Sequence, residues 1–185
     1  IDENPKALAV QLAAYVPHVV VTHPEVAEDN LALYRLLGLL FGREYAAARL
    51  SAAFSRRLLH LYRERPLRRP RRVLYLIWRE PWMSISAPTY IAQMLRLINW
   101  QCVTLPDPAR YPTLDITPEL LSQLDYVLFS SEPYHFKPND LDQFAQRYQF
   151  PRERVLLIDA ELVSWYGSRA ILGLDYLDQL ARQHA

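Results

Sequence analysis

The stretch "RVLYLIW", residues 72–78, is a short apolar run that follows arginines and ends at a tryptophan. Three more short runs of this kind come later, "QCVTL" at 101–105, "YVLFS" at 126–130 and "RVLLID" at 154–159. Short apolar runs bounded by polar residues are typical of buried strands. Segments with helical spacing lie between and after them, at 88–98, 117–124, 138–148 and 168–183. This alternation predicts an α/β fold, a parallel sheet flanked by helices on both faces in three layers.

The chain before this sheet is predicted to be mainly helical. "HVVVT" at 18–22 has the composition of a short buried strand, and Thr22 with Glu25 has the spacing of a capping box, with Pro24 in the first turn. Apolar residues then recur at helical spacing across 24–64. The pattern allows one long helix, or two helices with a bend near Gly42, because glycine weakens a helix interior.

Composition and charge limit the classes of partner. The chain has 185 residues, 51% of them hydrophobic, and a formal charge of +1, so no global field attracts nucleic acid. The segment "RERPLRRPRR" at 63–72 holds six arginines and two prolines. It could contact phosphates, but without interleaved aromatic residues for base stacking we interpret it as a solvated linker. Cys102 is the sole cysteine, so no intramolecular disulfide or cysteine metal cluster is expected.

The start of the chain lacks a secretion signal. It opens at Ile1 without an initiator methionine, a basic segment or the apolar core of a signal peptide. Two interpretations stay open: a signal peptide has been removed, or the chain begins within a longer protein. No uninterrupted apolar run reaches the roughly 18 residues of a membrane span.

The loops that leave the predicted strands combine aromatic rings with polar groups. In parallel sheets ligands bind at the carboxyl ends of the strands. Four loops, 78–90, 107–119, 130–136 and 159–169, have the composition of a pocket for a flat, largely apolar ligand with a polar rim. The alternative is that these rings cap the core. The candidate ligand-binding residues are Trp78, Trp82, Met83, Ser86, Tyr111, Glu132, Tyr134, His135, Phe136, Trp165, Tyr166 and Arg169.

Metal ligation and catalysis are weaker alternatives. His135 next to Glu132 could ligate a metal, but the other histidines have no paired spacing with it, so we predict no metal site. The same two residues could form an acid–base pair, and this sheet architecture also hosts chelatases and hydrolases. However, the sequence has four glycines and lacks the phosphate-binding and nucleophile-elbow motifs, so we predict that the chain is not an enzyme.

Three segments carry a resemblance to a known family. "RVLYLIWREPWMSISAPTYIAQMLRLINWQCV", "YPTLDITPELLSQLDYVLFSSEPYHF" and "RVLLIDAELVSWYGSR" resemble the carboxyl-terminal lobe of class III periplasmic solute-binding proteins. These proteins have a helical backbone and serve ABC importers for vitamin B12, haem and iron–siderophore complexes. The resemblance implies a remnant of the amino-terminal lobe at 1–23, a backbone helix at 24–64, a basic linker at 65–72 and the carboxyl-terminal α/β lobe at 73–185. On this resemblance, most of the amino-terminal lobe has no counterpart in the given sequence.

The resemblance also implies a function and several residue roles. The expected function is binding of a corrinoid, haem or other metal chelate such as a ferric siderophore, without a cofactor, in a cleft between two lobes. Tyr111, Trp165 and Arg169 fall where family members contact the ligand, although Arg169 could equally pair with a neighbouring acid. Glu119 falls where the family has a glutamate that docks to the permease; otherwise it is a first-turn acid that favours its helix dipole.

Location and assembly follow from the same resemblance. The chain is expected in the periplasm, or outside the cell as a membrane-anchored lipoprotein, with an inner-membrane ABC permease as partner and no nucleic acid. If the first lobe is absent, the uncovered leucines Leu33, Leu37 and Leu40 predict self-association. In that case a truncated interaction module that binds no ligand is a further alternative.

Overall fold

A computed structural model describes residues 6–103, 105 and 107–185. The described part is an α/β fold with one sheet, which confirms the predicted fold class. The strands are β1 Arg71–Trp78, β2 Met83–Ser84, β3 Trp100–Cys102, β4 Tyr126–Ser130 and β5 Val155–Ile158. The helices are α1 Lys6–Leu12, α2 Asp29–Leu40, α3 Glu44–Glu64, α4 Tyr90–Arg96, α5 Pro118–Ser122, α6 Pro138–Tyr148, α7 Ala160–Ser164 and α8 Arg169–Gln183, with 3-10 turns at Arg65–Leu67 and Arg152–Arg154.

The sheet is mainly parallel and is centred on β1. β1 pairs in parallel with β4 along one side, and β4 pairs in parallel with β5. On its other side β1 pairs in parallel with β3 near its start and antiparallel with β2 near its end. The four predicted strands and the helices between them are therefore confirmed, although the strand predicted at 101–105 ends at Cys102 and residue 104 lies outside the described residues. The short strand β2 was not predicted, because two residues are too few to show an alternating pattern.

Helices cover both faces of the sheet. Alternate residues of β1 point to opposite faces, so Tyr75 packs in a core with α3, α4 and α8. Leu74 and Leu76 pack on the other face, in a core that includes Leu141 and Phe144 of α6. All five side chains are buried. Burial on both faces explains why the strands are continuous apolar runs rather than alternating ones.

The 24–64 region contains two helices, not one. α2 ends at Leu40 and α3 begins at Glu44, so the alternative of two helices is observed. Gly42 has φ +60°, a left-handed conformation that suits glycine at a helix end. The Arg43 N–H donates to the Gly38 carbonyl at 2.7 Å, which closes this end of the helix. Leu33, expected to be uncovered, is buried, whereas Leu37 and Leu40 are exposed.

Two predictions for the amino-terminal segment are wrong. Residues 18–22 are not a strand: no ladder is formed there and Val21 is exposed. The helix begins at Asp29 rather than after the Thr22–Glu25 pair. The Asp29 carboxylate accepts hydrogen bonds from the backbone N–H groups of Glu25 at 2.8 Å and Val26 at 3.0 Å, which holds the chain in a turn before the helix.

The basic segment is tied to the fold rather than solvated throughout. Arg68 donates to Asp178 on α8, and Arg71 lies 3.5 Å from Asp125 before β4. Burial alone would raise the pKa of Asp178, but hydrogen bonds from Arg68 and Arg182 outweigh it and lower the pKa. The interpretation of a solvated linker is therefore wrong for Arg68 and Arg71, because long-range acids, invisible to composition, hold them.

Candidate functional site

An open cleft of about 760 Å³ lies at the carboxyl ends of β1, β4 and β5. This volume is within the range of roughly 300 to 1,000 Å³ that is usual for small-molecule sites. Its position follows from the topology, because parallel strands bring the loops after them to one edge of the sheet. The cleft is lined by Ile77, Trp78, Met83, Thr89, Tyr90, Ile91, Arg110, Tyr111, Ser130, Glu132, Pro133, Ala160, Ser164, Trp165 and Tyr166.

Half of the predicted ligand-binding residues line this cleft, and all four predicted loops contribute. They are Trp78, Met83, Tyr111, Glu132, Trp165 and Tyr166. Trp78 and Trp165 are 40% and 50% exposed, so their faces are available to a ligand. Tyr166 meets Tyr90 edge-on with ring centroids 6.0 Å apart. The lining is therefore rich in aromatic surface, as the loop composition predicts.

Among the described residues that line the cleft, two have charged side chains, Arg110 and Glu132. Arg110 lies over the ring of Tyr111, with its guanidinium carbon 5.8 Å from the centroid. Glu132 accepts a hydrogen bond from the indole Nε1 of Trp165 at 2.8 Å. One positive and one negative group, set among apolar walls, give a small polar rim that can orient a ligand without a strong net field.

The loops after β4 and β5 are fastened to each other. The Ser131 N–H donates to the Ile158 carbonyl at 3.0 Å, and the Ala160 N–H donates to the Ser131 hydroxyl at 2.9 Å. The Ser130 hydroxyl donates to the Glu132 carbonyl and lies 3.0 Å from the buried Tyr75 hydroxyl. Glu132 therefore stands on a loop that is anchored to the sheet core.

α2 supports the cleft from behind. Asn30 is fully buried, donates from Nδ2 to the Tyr90 hydroxyl at 2.9 Å and accepts at Oδ1 from the Gly167 N–H at 2.7 Å. The Tyr34 hydroxyl donates to the Gly167 carbonyl at 2.7 Å, and burial raises the pKa of Tyr34 to about 12, which keeps this donor protonated. The helix thus fixes the loop that carries Trp165.

Three predicted ligand-binding residues lie in or against the opposite core instead of in the cleft. The indole of Trp82 donates to the Tyr148 hydroxyl at 2.9 Å and stacks on Phe136 at 6.3 Å. Phe136 is 2% exposed. Tyr134 packs on Phe136 at 4.5 Å and meets Trp78 at 5.3 Å. These rings pack towards the α6 face, which is the placement described by the alternative of core capping.

The other three predicted residues also lie outside the lining. The Ser86 hydroxyl is buried without a partner in the described part of the chain, while its N–H donates to the Arg110 carbonyl at 3.0 Å. His135 is exposed. Arg169 pairs with Glu161, which is the alternative weighed for it from the sequence. Neither His135 nor Arg169 reaches the cleft lining in this arrangement.

The described residues do not support an acid–base pair at Glu132. Its carboxylate bonds to Trp165, and His135 does not line the cleft. Within residues 6–103, 105 and 107–185 no group of three or more histidine, cysteine, aspartate or glutamate side chains could hold a metal ion. Burial raises the pKa of the Cys102 thiol to about 12, so the thiol stays protonated.

Glu119 is exposed in the first turn of α5. The Thr117 hydroxyl caps this helix by accepting from the Leu120 N–H at 3.2 Å. Hydrogen bonds from its own backbone N–H and from Thr117 lower the pKa of Glu119, so its carboxylate is charged at neutral pH. Its exposed carboxylate is accessible to a partner, and the same geometry is that of a first-turn acid.

Sequence reasoning missed several residues of the site. Thr89, Tyr90 and Arg110 lie inside loops that were identified by composition, but composition does not say which side chains face inward. Asn30 and Tyr34 carry no local signal, because their partners are Tyr90 and Gly167, far along the chain. Only the tertiary structure brings them together.

Comparison with known proteins finds solved structures that share this fold. No protein-family model matches the chain, and no curated protein matches it. Solved structures do match it over nearly its whole length. The periplasmic vitamin B12-binding protein BtuF of Vibrio cholerae aligns with a TM-score of 0.79 at 12% identity, over 97% of this chain and 71% of that one.

Two haem-binding proteins align comparably. The periplasmic haem-binding protein RhuT of Roseiflexus sp. RS-1 gives a TM-score of 0.74 at 17% identity, over 97% of this chain and 72% of that one. The periplasmic haem-binding protein BhuT in complex with two haems gives a TM-score of 0.74 at 21% identity, over 98% of this chain and 73% of that one. The chain therefore has the fold of the class III, helical-backbone solute-binding proteins, as the sequence resemblance implies. These three neighbours are described as binding proteins for vitamin B12 or haem.

Proposed function

We propose that this chain is the solute-binding component of an ABC importer, and that its cleft takes a flat tetrapyrrole or metal chelate, such as a corrinoid, haem or a ferric siderophore. The observation that carries the proposal is the aromatic cleft at the carboxyl ends of β1, β4 and β5. Aromatic faces give a planar ligand a large contact area, and the few polar groups fix its orientation. No bond is made or broken, and no cofactor is required.

The fold supports this proposal in two ways. The neighbours named above bind vitamin B12 or haem, and they share the arrangement of strands and helices. The cleft of this chain also stands on a rigid base, because Ser131, Ala160, Asn30 and Gly167 fasten its loops by hydrogen bonds. Rigid walls reduce the ordering cost of binding, so affinity depends on stacking and rim contacts.

The proposed setting is the periplasm or the cell exterior, with an ABC permease as partner. Glu119 is the proposed docking residue, because it is exposed and charged. Among the described residues no helix is long and apolar enough to span a bilayer. In this setting the protein delivers its ligand to the permease, and the docking charge affects transport rather than ligand binding.

A titration of tryptophan fluorescence tests the proposal. Trp78 and Trp165 line the cleft, so cyanocobalamin, haemin or a ferric siderophore should quench the emission on binding. Tyr111→Ala and Trp165→Ala should each weaken binding by about 1 to 3 kcal/mol, since each removes one aromatic wall.

Tyr45→Ala is the matched control, because Tyr45 is 79% exposed on α3 and does not line the cleft. It should bind like the wild type. Absence of quenching by all three compounds would contradict the proposed ligand class. Equal affinity of both cleft variants and the wild type would place the binding site elsewhere.

A further inference from the structure

Trp165 is held differently from the other tryptophans of the chain. Trp78, Trp82 and Trp100 pack against the rings of Tyr134, Phe129 and Tyr126, respectively. Trp165 follows the end of α7, is half exposed, and has its indole Nε1 2.8 Å from Glu132 Oε1. A large, half-exposed ring at a helix end has rotational freedom unless a polar contact fixes it.

Glu132 is well placed to supply that contact. It is the second residue after β4, and its carbonyl accepts from the Ser130 hydroxyl. The preceding residue, Ser131, donates its N–H to the Ile158 carbonyl and accepts at its hydroxyl from the Ala160 N–H. The carboxylate therefore extends from a fixed loop and reaches across to the loop after α7, so that it joins two walls of the cleft.

We infer that Glu132 is a positioning residue, whose carboxylate holds the Trp165 indole as a wall of the cleft before any ligand arrives. The inference rests on the proposed function of the cleft and assigns a new role within it. A hydrogen bond to a charged acceptor is stronger than a neutral one, and it is directional along the N–H bond. It therefore fixes the plane of the ring, which decides whether a flat ligand can stack on it.

This role predicts a specific pattern among substitutions. Glu132→Ala removes the acceptor and frees the ring, so binding of cyanocobalamin or haemin should weaken about tenfold, which corresponds to about 1.4 kcal/mol for ordering one side chain. Glu132→Gln keeps an oxygen acceptor and should stay within about threefold of the wild type, because a neutral hydrogen bond is weaker but still directional. Trp165→Phe keeps a ring without the N–H donor.

A double-mutant cycle separates positioning from direct ligand contact. If Glu132 acts through the indole, Glu132→Ala should have no further effect in the Trp165→Phe background. If Glu132 touches the ligand itself, the same loss appears in both backgrounds and the positioning role is overturned. Glu153→Ala is the control, since Glu153 is an exposed acid before β5, at the opposite edge of the sheet.

A second measurement needs no ligand. With 5-fluorotryptophan incorporated, the fluorine resonance of Trp165 is assigned by its loss in Trp165→Phe. Glu132→Ala should shift and narrow this resonance and leave the other three in place, whereas Glu132→Gln should leave it close to the wild-type position. An unchanged Trp165 resonance in Glu132→Ala would overturn the inference.

The two measurements also separate this inference from the proposed function. If no compound binds the wild type, the proposed function fails and the positioning role in binding fails with it, even where the fluorine spectrum shows a fixed ring. If a compound binds the wild type and Glu132→Ala binds it equally well, only the positioning role fails.

Discussion

The close approach of α7 and α8 allows a sharp test of how packing sets the cleft. Gly173 on α8 faces the middle of α7, where a Cβ atom would lie 2.1 Å from the Leu162 carbonyl oxygen and 3.2 Å from its carbonyl carbon. Real Cβ contacts are essentially never below 3.0 Å, so Gly173→Ala must separate the helices by about 0.9 Å. The obstacle is backbone, which cannot turn away as a flexible side chain would.

The expected loss of stability follows from two opposing effects. Overpacking a closely packed contact costs about 1 to 3 kcal/mol, and the rigid carbonyl favours the upper end of that range. Alanine gains about 1 kcal/mol over glycine within a helix. We therefore expect Gly173→Ala to lower the free energy of unfolding by about 2 kcal/mol. Urea unfolding followed by circular dichroism measures this loss.

The same substitution should also weaken ligand binding. α7 ends at Ser164, directly before the cleft residues Trp165 and Tyr166, so a displaced α7 moves this wall. Gly42→Ala is the control. A Cβ atom at position 42 would have no neighbour within 4 Å, so the substitution adds only the backbone strain of a φ of +60°. This variant should be less stable than the wild type but should bind the ligand normally. A Gly173→Ala variant as stable as the wild type would refute the packing argument.

Three further predictions concern the surface of the molecule. The pKa of Asp178 is lowered in the folded protein, so its ion pairs stabilise the fold above the unfolded pKa, and this stabilisation is lost as pH falls through the folded pKa. Urea unfolding should therefore show Asp178→Asn less stable than the wild type at neutral pH, with a difference in the free energy of unfolding that shrinks towards acid pH. Glu119→Arg should reduce uptake in cells while ligand affinity stays unchanged, and normal uptake would exclude the docking role. Leu40 and Phe41 are exposed at the end of α2, so sedimentation should detect self-association that Leu40→Glu and Phe41→Glu reduce; a monomer at high concentration would contradict this.

Much of the fold was predictable because it depends on local patterns. The runs at 72–78, 126–130 and 154–159 are strands because both faces of the sheet are covered, and buried strands are continuous apolar segments. The helix predicted at 138–148 has these same bounds in the structure. The segment 18–22 shows the limit of this reasoning. Its valines have strand composition, but a strand also needs a neighbour to bond with, and composition does not supply one.

For the site, the sequence by itself determined the edge of the sheet and the aromatic loops, because the order of strands and helices fixes where parallel strands end. Only the tertiary structure decided which rings face the cleft. Trp78 and Trp82 are four residues apart, yet one lines the cleft and the other packs in the α6 core. The bond between Glu132 and Trp165 likewise joins residues 33 positions apart. Side-chain direction and long-range contact depend on the path of the chain in space, which local composition does not encode.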